Sequence, residues 1–356
     1  MDGRKYIGMD VHQASISAAV RDANGKLVME SIFETKASTI LEFVQGLHGT
    51  LWITFEEGTG AGWLYDLLKP HVAKVIVCDP RKNAVSKKRN KNDCIDARTL
   101  SELLRAGLLS PVYHGDTGVR TLKELARSYL SLTQDVTRVM NRLKGLHRSW
   151  GVRCAGRAIY ARSHRGDWLE KLPEAGVRRR AQRLYEELDY LQPLRQQARK
   201  ELIAESRKHP VCEFLREVPS LGPIRVALVI ALIQTPHRFR TKRQLWTYSG
   251  LAVNTQVSGE YSFTGGELQR ARKRPIPRGL NENHNHDLKN VFKGAAATAA
   301  TALGGPFQDF YAALLAKGMR PTMARLTLAR KIAAITLSIW KKGEHFDKEH
   351  LKPQAA

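Results

Sequence analysis

YIGMDVHQASISAAVRDANGKLVMESIF, residues 6–33, decides the reading of this chain. It opens on a short apolar run, residues 6–11, and residues 15–21 then alternate apolar with polar positions, as a half-buried strand does. Ala23-Asn24-Gly25 follows, and Asn-Gly accepts the positive φ values of a two-residue turn, so residues 27–33 are expected to return antiparallel as a third strand.

Working outward, Ile40, Leu41, Phe43, Val44 and Leu47 predict a helix over residues 38–47. A strand over 51–55, a Gly-rich turn, a helix over 63–68 and a strand over 72–78 come next. The order is β-β-β-α-β-α-β, a hairpin leading into strands that alternate with helices, which is the order of a ribonuclease-H-like α/β domain. We place this domain at residues 1–115. Residues 116–210 read differently. Leu122, Leu125, Tyr129, Leu132, Val136, Val139, Leu143 and Leu146 recur at three- and four-residue steps, close to a coiled-coil period. A second long helix over 177–206 carries Pro193, a position that kinks or splits a helix. An antiparallel helical arm is the economical reading, with a role in oligomerisation. Residues 211–345 form a mainly α C-terminal domain interrupted by a Gly-punctuated basic segment over 250–290, and 346–356 is a flexible tail.

The chain has 356 residues, of which 42% are hydrophobic, enough for a core in each part. It carries 58 Lys and Arg against 34 Asp and Glu, a formal net charge of +24, and a polyanion is the partner such a surplus fits. Its apolar runs fall short of the roughly 18–20 residues that cross a bilayer. The opening MDGRKYIGMD holds no secretory signal and leads into the first strand. Cys78, Cys94, Cys154 and Cys212 form no CxxC pair, which argues against zinc and redox sites. These features describe a cytoplasmic, nucleic-acid-directed protein without a membrane partner.

Four acids stand out. Asp10 ends the first strand, Glu57, next to Glu56, follows the fourth, and Asp93 and Asp96 sit at a helix entry, one turn apart on one face. In a ribonuclease-H-like sheet the first and fourth strands are neighbours, so these acids can converge. Carboxylates gathered together repel unless divalent cations lie between them, and Mg²⁺ or Mn²⁺ is the hard ion they would take. Singly, each has an ordinary role: Asp93 as an N-cap, Asp96 as a first-turn acid, the glutamates as strand-end charges. Residues 81–91 just before them hold Arg81, Lys82, Lys87, Lys88, Arg89 and Lys91 and no acid. A solvated loop is one reading; a clamp on a phosphate backbone is the one we favour beside a metal-phosphate site.

These residues resemble the DEDD transposases of bacterial insertion sequences, the bridge-RNA-guided DNA recombinases. Tyr6-Ile7-Gly8-Met9-Asp10-Val11-His12 is similar to the family's opening strand and first acid, and Glu57-Gly58-Thr59-Gly60 to its Glu-x-Thr-Gly, which selects Glu57 over Glu56. Asn92-Asp93-x-x-Asp96-Ala97 matches its paired aspartates. Farther on, Val218-Pro219-Ser220-Leu221-Gly222-Pro223 resembles a Pro-Gly-Ile-Gly-Pro segment, with Ser220 in place of the first Gly. Gln256-Val257-Ser258-Gly259 stands where the family has Gln-Ser-Gly, with Val257 inserted.

The resemblance implies a RuvC-like N-terminal domain, a helical coiled-coil arm and a transposase domain. It implies that Asp10, Glu57, Asp93 and Asp96 bind Mg²⁺ and that Ser258 is the nucleophile, with Ser262 and Ser249 as rivals. It further implies donor and target double-stranded DNA as substrates, a noncoding bridge RNA as guide, and a homo-oligomer, dimer or tetramer. The setting would be the bacterial cytoplasm, on the nucleoid when DNA is bound. Arg270, Arg272, Lys273, Arg274 and Arg278 would then track phosphates along RNA or DNA, against the plainer reading of a solvated loop. Leu221-Gly222 resembles half of a helix-hairpin-helix, and a plain Gly-Pro helix start serves equally. Asn283-His284-Asn285 spells HNH but lacks the flanking strands of that nuclease, so a polar helix entry is expected. Two rival functions stay open: a metal-dependent, junction-resolvase-like nuclease using only the acids, and a nucleic-acid-binding protein whose acids are structural.

Overall fold

Alternation along residues 4–11 fixes which way the first strand faces. Ile7 and Met9 are fully buried in one core, so Gly8 and Asp10 belong to the opposite face of the sheet. In this computed structural model, which describes residues 3–82, 93–114, 117–256, 261–264, 267–270, 276–302 and 304–351, the strand is β1 (Arg4–Val11). It is followed by β2 (Ser15–Arg21), β3 (Leu27–Glu34), α1 (Ala37–Gln45), β4 (Thr50–Glu56), α2 (Ala61–Leu68), β5 (Lys74–Cys78) and α3 (Asp93–Arg105). The expected β-β-β-α-β-α-β order is the observed one. Gly25 adopts φ 89° and donates its N–H to the Asp22 carbonyl at 3.1 Å. Asn24 is not at positive φ, so the β2–β3 connection is a turn over residues 22–25 closed by a left-handed glycine rather than the expected two-residue Asn-Gly turn.

The five strands form one mixed sheet in the order β3-β2-β1-β4-β5, with β1 antiparallel to β2 and parallel to β4. Ile7, Met9, Ile53 and Phe55 share one face with Ile40 and Val44 of α1 and Leu64 and Leu68 of α2. Each such side chain contributes roughly 1.5–3 kcal/mol on burial, which commits this face to the core. The other face belongs to α3. A Cβ on Gly8 would overlap the Ala97 carbonyl oxygen and the Ser101 backbone nitrogen, so the helix lies directly on the β1 backbone.

The chain resolves into two compact units, Met1–Asp116 and Thr117–Ala356. The second begins with α4 (Arg120–Ser149), α5 (Arg165–Glu170) and α6 (Ala175–Ser206). α4 and α6 pack along their length: Leu122, Ala126 and Leu202 at one end join the main core of the unit, Val136, Val139 and Leu188 meet midway, and Leu143, Leu146, Ala181 and Tyr185 meet at the other end. α6 continues through Pro193, so of the two outcomes expected there, a kink or a split, the split does not occur. Leu188 on one side of it and Ala198 and Leu202 on the other are buried, and their burial outweighs the cost of about 3 kcal/mol of an interior proline.

The remaining elements are α7 (Val211–Arg216), α8 (Pro223–Ile233), α9 (Lys242–Tyr248), β6 (Val253–Gln256), β7 (Tyr261–Thr264), β8 (Glu267–Arg270), β9 (Ile276–Leu280), α10 (His286–Thr301), α11 (Pro306–Ala316) and α12 (Pro321–Lys342). Apart from Arg225 in its first turn, α8 is apolar all round and packs against α4, α6, α7 and α10, which makes it the centre of the unit. The Gly-punctuated basic segment over 250–290 carries two antiparallel ribbons that the sequence did not indicate, β6 with β9 and β7 with β8. Among the described residues, no helix is long and apolar enough to cross a membrane.

Candidate functional site

Asp10 is the second-last residue of β1 and faces the α3 side of the sheet. Three interactions fix the direction of α3. Arg21, paired with Tyr6, donates from Nε to Ser101 Oγ at 3.1 Å. Arg98 reaches Glu30 at 2.5 Å, and Glu30 pairs with Ala19, which pairs with Gly8. Ala97 then lies against Gly8 itself. The helix therefore runs antiparallel to β1. One turn back from residue 98 is about 5.4 Å, and two residues on from Gly8 is about 6.6 Å, which brings the first turn of α3 abreast of Asp10. Asp96 is exposed on that turn. The side chain of Asp93, which opens the helix, lies outside the described residues.

Asp10 is about a quarter exposed, and its Oδ2 lies 3.2 Å from His12 Nε2. Glu57 follows β4 directly and extends the ladder, its N–H donating to the Cys78 carbonyl at 2.9 Å. Its carboxylate is held by His114, Nε2 to Oε2 at 2.6 Å, and the His114 ring lies 5.1 Å from the ring of Tyr65 on α2. Strand alternation puts Glu56 on the face of Thr54, Gly8 and Asp10, whereas the Glu57 carboxylate is engaged beside α2. Asp10 and the first turn of α3 are thus brought together, and Glu57 is turned to a neighbouring position. Among the described residues, no group of three or more His, Cys, Asp or Glu side chains is close enough to hold a metal ion.

His12 and His114 were not singled out by the sequence. His12 had a signal, standing two residues beyond an acid at a strand end. His114 had none: it arrives because residues 110–112 run beside β5, with a Cys78–Pro111 bridge and the Val112 N–H donating to the Val77 carbonyl.

Of the basic residues ahead of α3, Arg81 and Lys82 are exposed. Burial pushes the Asp79 carboxyl up, and the Arg81 backbone N–H and guanidinium more than offset this, leaving it below its ordinary value. Arg81 is thereby anchored by one end while staying at the surface. Lys87, Lys88, Arg89 and Lys91 lie outside the described residues, as do Ser258, Arg272, Lys273 and Arg274. Arg270 ends β8 opposite Tyr261, and Arg278 lies in β9; their side chains are likewise outside the description.

The base of the β6–β9 ribbon is well anchored. Arg330 Nε donates to the Leu251 carbonyl at 2.6 Å, and the Asn281 N–H donates to the Ala252 carbonyl at 3.1 Å. Ser258 follows two residues beyond the end of β6. Ser249 is fully buried and donates to the Leu245 carbonyl at 2.7 Å, so this rival has no access to a substrate. Ser262 sits in β7, paired with Gln269. The HNH string is a helix entry, as expected: Asn285 caps α10, accepting from the Leu288 N–H at 2.8 Å.

No curated protein matches the chain. Two family models do: a DEDD-type IS110 transposase model over residues 7–148, and the Transposase IS116/IS110/IS902 family over residues 212–312. The first covers Asp10, Glu57 and α3, the second the ribbons and the helices around α8, and together they span more than half of the sequence. On this evidence the chain belongs to the DEDD-type IS110 family of insertion-sequence transposases.

Proposed function

We propose that this transposase is an RNA-guided DNA recombinase whose N-terminal unit is a RuvC-like, ribonuclease-H-like domain. Asp10, Glu57, Asp93 and Asp96 would hold divalent cations, and Ser258 would be the nucleophile. The observation that carries the reading is the approach of the first turn of α3 to Asp10 across Gly8, within a β3-β2-β1-β4-β5 sheet. The donor set is all carboxylate oxygen, which fits a hard cation such as Mg²⁺ or Mn²⁺. Bound there, the ion would supply Lewis acidity to a phosphodiester. Glu56 shares Asp10's face and is the natural substitute should Glu57 stay with His114.

In the chain's own residues, Ser258 Oγ would attack phosphorus, its proton passing to solvent or a nearby base, as the bond to the leaving deoxyribose oxygen breaks. The resulting phosphoserine diester keeps the energy of the broken bond, so a second deoxyribose hydroxyl can reverse the step and rejoin. Guidance by a bridge RNA from the element, assembly as a dimer or tetramer, and phosphate contacts from the basic segments complete the proposal. The helical pair would act as an arm and residues 211–345 as the transposase domain.

Recombination of donor and target duplexes in vitro, with the RNA that copurifies, tests this. Asp10→Asn and Asp96→Asn should abolish product while leaving RNA binding intact, and calorimetry should show Mg²⁺ or Mn²⁺ uptake only in the parent chain. Comparing Glu56→Gln with Glu57→Gln identifies the strand-end ligand. Denaturing the reaction and mapping DNA-linked peptides should place the adduct on Ser258. An adduct that survives Ser258→Ala and is lost in Ser262→Ala moves the role to Ser262, and no adduct under any condition favours direct hydrolysis.

A further inference from the structure

The net charge of the helical pair is concentrated at one end. Residues 120–141 and 184–206, the stem, hold 7 Lys and Arg and 7 Asp and Glu, whereas residues 142–183, the far end, hold 12 against 3. That surplus of nine is over a third of the chain's +24.

This end is an ordered head rather than a loose charged loop. Leu143, Leu146, Ile159, Leu172 and Tyr185 form its core. His147 is fully buried and joins α4 to α5, with Nε2 3.1 Å from the Trp168 carbonyl. The fold employs only some of its cations. Lys144 donates to the Gly156 carbonyl at 2.8 Å, Arg178 to the Leu172 carbonyl at 2.8 Å, and Arg165 is held by Asp189. Arg148, Arg153, Arg157, Arg179 and Arg180 are exposed and form no ion pair among the described residues. Packing does not need them there, and their mutual repulsion is a cost. Between Arg148 and Arg153 in the sequence, Trp150, just past the end of α4, leaves 43% of its surface in water.

We infer that the head of the helical pair is a docking surface for single-stranded nucleic acid, with its arginines on the phosphates and Trp150 stacking on an unpaired base. Arginines spaced over a rigid surface with an exposed indole match the way single strands are held, by backbone charge and base stacking. A duplex hides its base faces and would have no use for Trp150. RNA and DNA single strands share this chemistry. None of these residues is one of the acids or Ser258, so the inference stands or falls independently of the recombinase reading.

Fluorescence anisotropy on the full chain, with a labelled 20-nucleotide RNA, its DNA equivalent and the matching DNA duplex, tests it. The triple variant R148E/R153E/R157E should bind both single strands at least tenfold more weakly. Its log–log salt slope should fall by about 2, near 0.7 for each phosphate that is no longer neutralised. Trp150→Ala should weaken single strands several-fold and leave duplex binding unchanged, and the stronger of the RNA and DNA effects names the natural strand. The stem variant R195E/R199E/K200E controls for net charge. Equal weakening in head and stem variants, or a Trp150→Ala effect on duplex as large as on single strands, would overturn the inference, and circular dichroism melts confirm that each variant is folded.

Discussion

His114 Nε2 donates to Glu57 Oε2 at 2.6 Å across 57 residues of sequence, and the His114 ring packs beside Tyr65. A hydrogen bond to a carboxylate is worth about 1.5–3 kcal/mol, enough to choose the rotamer of Glu57. If Glu57 serves the acidic site, His114 sets where its carboxylate waits. His114→Phe keeps the ring and removes the donor, and it should slow single-turnover recombination about tenfold with little change in melting temperature. His114→Gln, which still offers an N–H, should recover part of the rate. Parental rates in both variants would remove His114 from the positioning of the acid.

Gly8 is the point on which the first unit closes. Any side chain there meets backbone atoms of α3 at Ala97 and Ser101, which have no rotamer by which to yield. Gly8→Ala should destabilise this unit by about 3 kcal/mol or more, beyond the usual cost of overpacking. That corresponds to a fall of more than about 10 °C in its melting temperature. Loss of metal uptake should accompany it, because the first turn of α3 is displaced from Asp10.

The first unit was legible because its signals are local. The alternation of residues 15–21, the Asn-Gly turn and the apolar runs each specify an element without help from elsewhere. The positions of Asp10 and the α3 aspartates at element ends were legible for the same reason. The facing of Glu56 and Glu57 was not, because it depends on where β4 stops. The C-terminal ribbons were missed because β6, β7 and β8 have only four residues each, too few to show a period. Gly265-Gly266, between β7 and β8, was the turn signal that could have revealed one of them.

Acid should loosen the head of the helical pair through Asp189. Arg165 grips this carboxylate with two hydrogen bonds of 2.7 Å, and that grip holds it below its ordinary value of 3.8. A carboxyl depressed in the folded state stabilises above its unfolded pKa, and that contribution disappears as pH falls through the folded value. Asp189 is partly exposed, so screening limits the effect to about 1 kcal/mol. Asp189→Asn should therefore melt below the parent chain at pH 7, with the gap closing as pH falls from about 4. A gap that persists unchanged at pH 2 would mean that altered packing, not charge, separates the two.

Ser220 offers a stabilising change. It stands where the resembling Pro-Gly-Ile-Gly-Pro segment has glycine, and its φ is 69°. A left-handed conformation costs a residue with a Cβ about 1–2 kcal/mol, and glycine nothing. The turn is held in that shape from outside, since Arg225 donates to the Ser220 carbonyl at 2.8 Å and Leu221 is buried beside it. Arg225 is itself drawn below its ordinary pKa by burial, so this hydrogen bond is embedded in the packing between α8 and Thr298 of α10. Against the gain, glycine adds roughly 0.5–1 kcal/mol of unfolded-state entropy. The balance favours Ser220→Gly by about 0.5–1 kcal/mol. It should appear as a rise in the urea midpoint of the second unit with an unchanged m-value. Ser220→Ala, which keeps the Cβ and removes only the hydroxyl, should gain nothing, and a gain equal to that of glycine would trace the effect to the hydroxyl rather than the backbone.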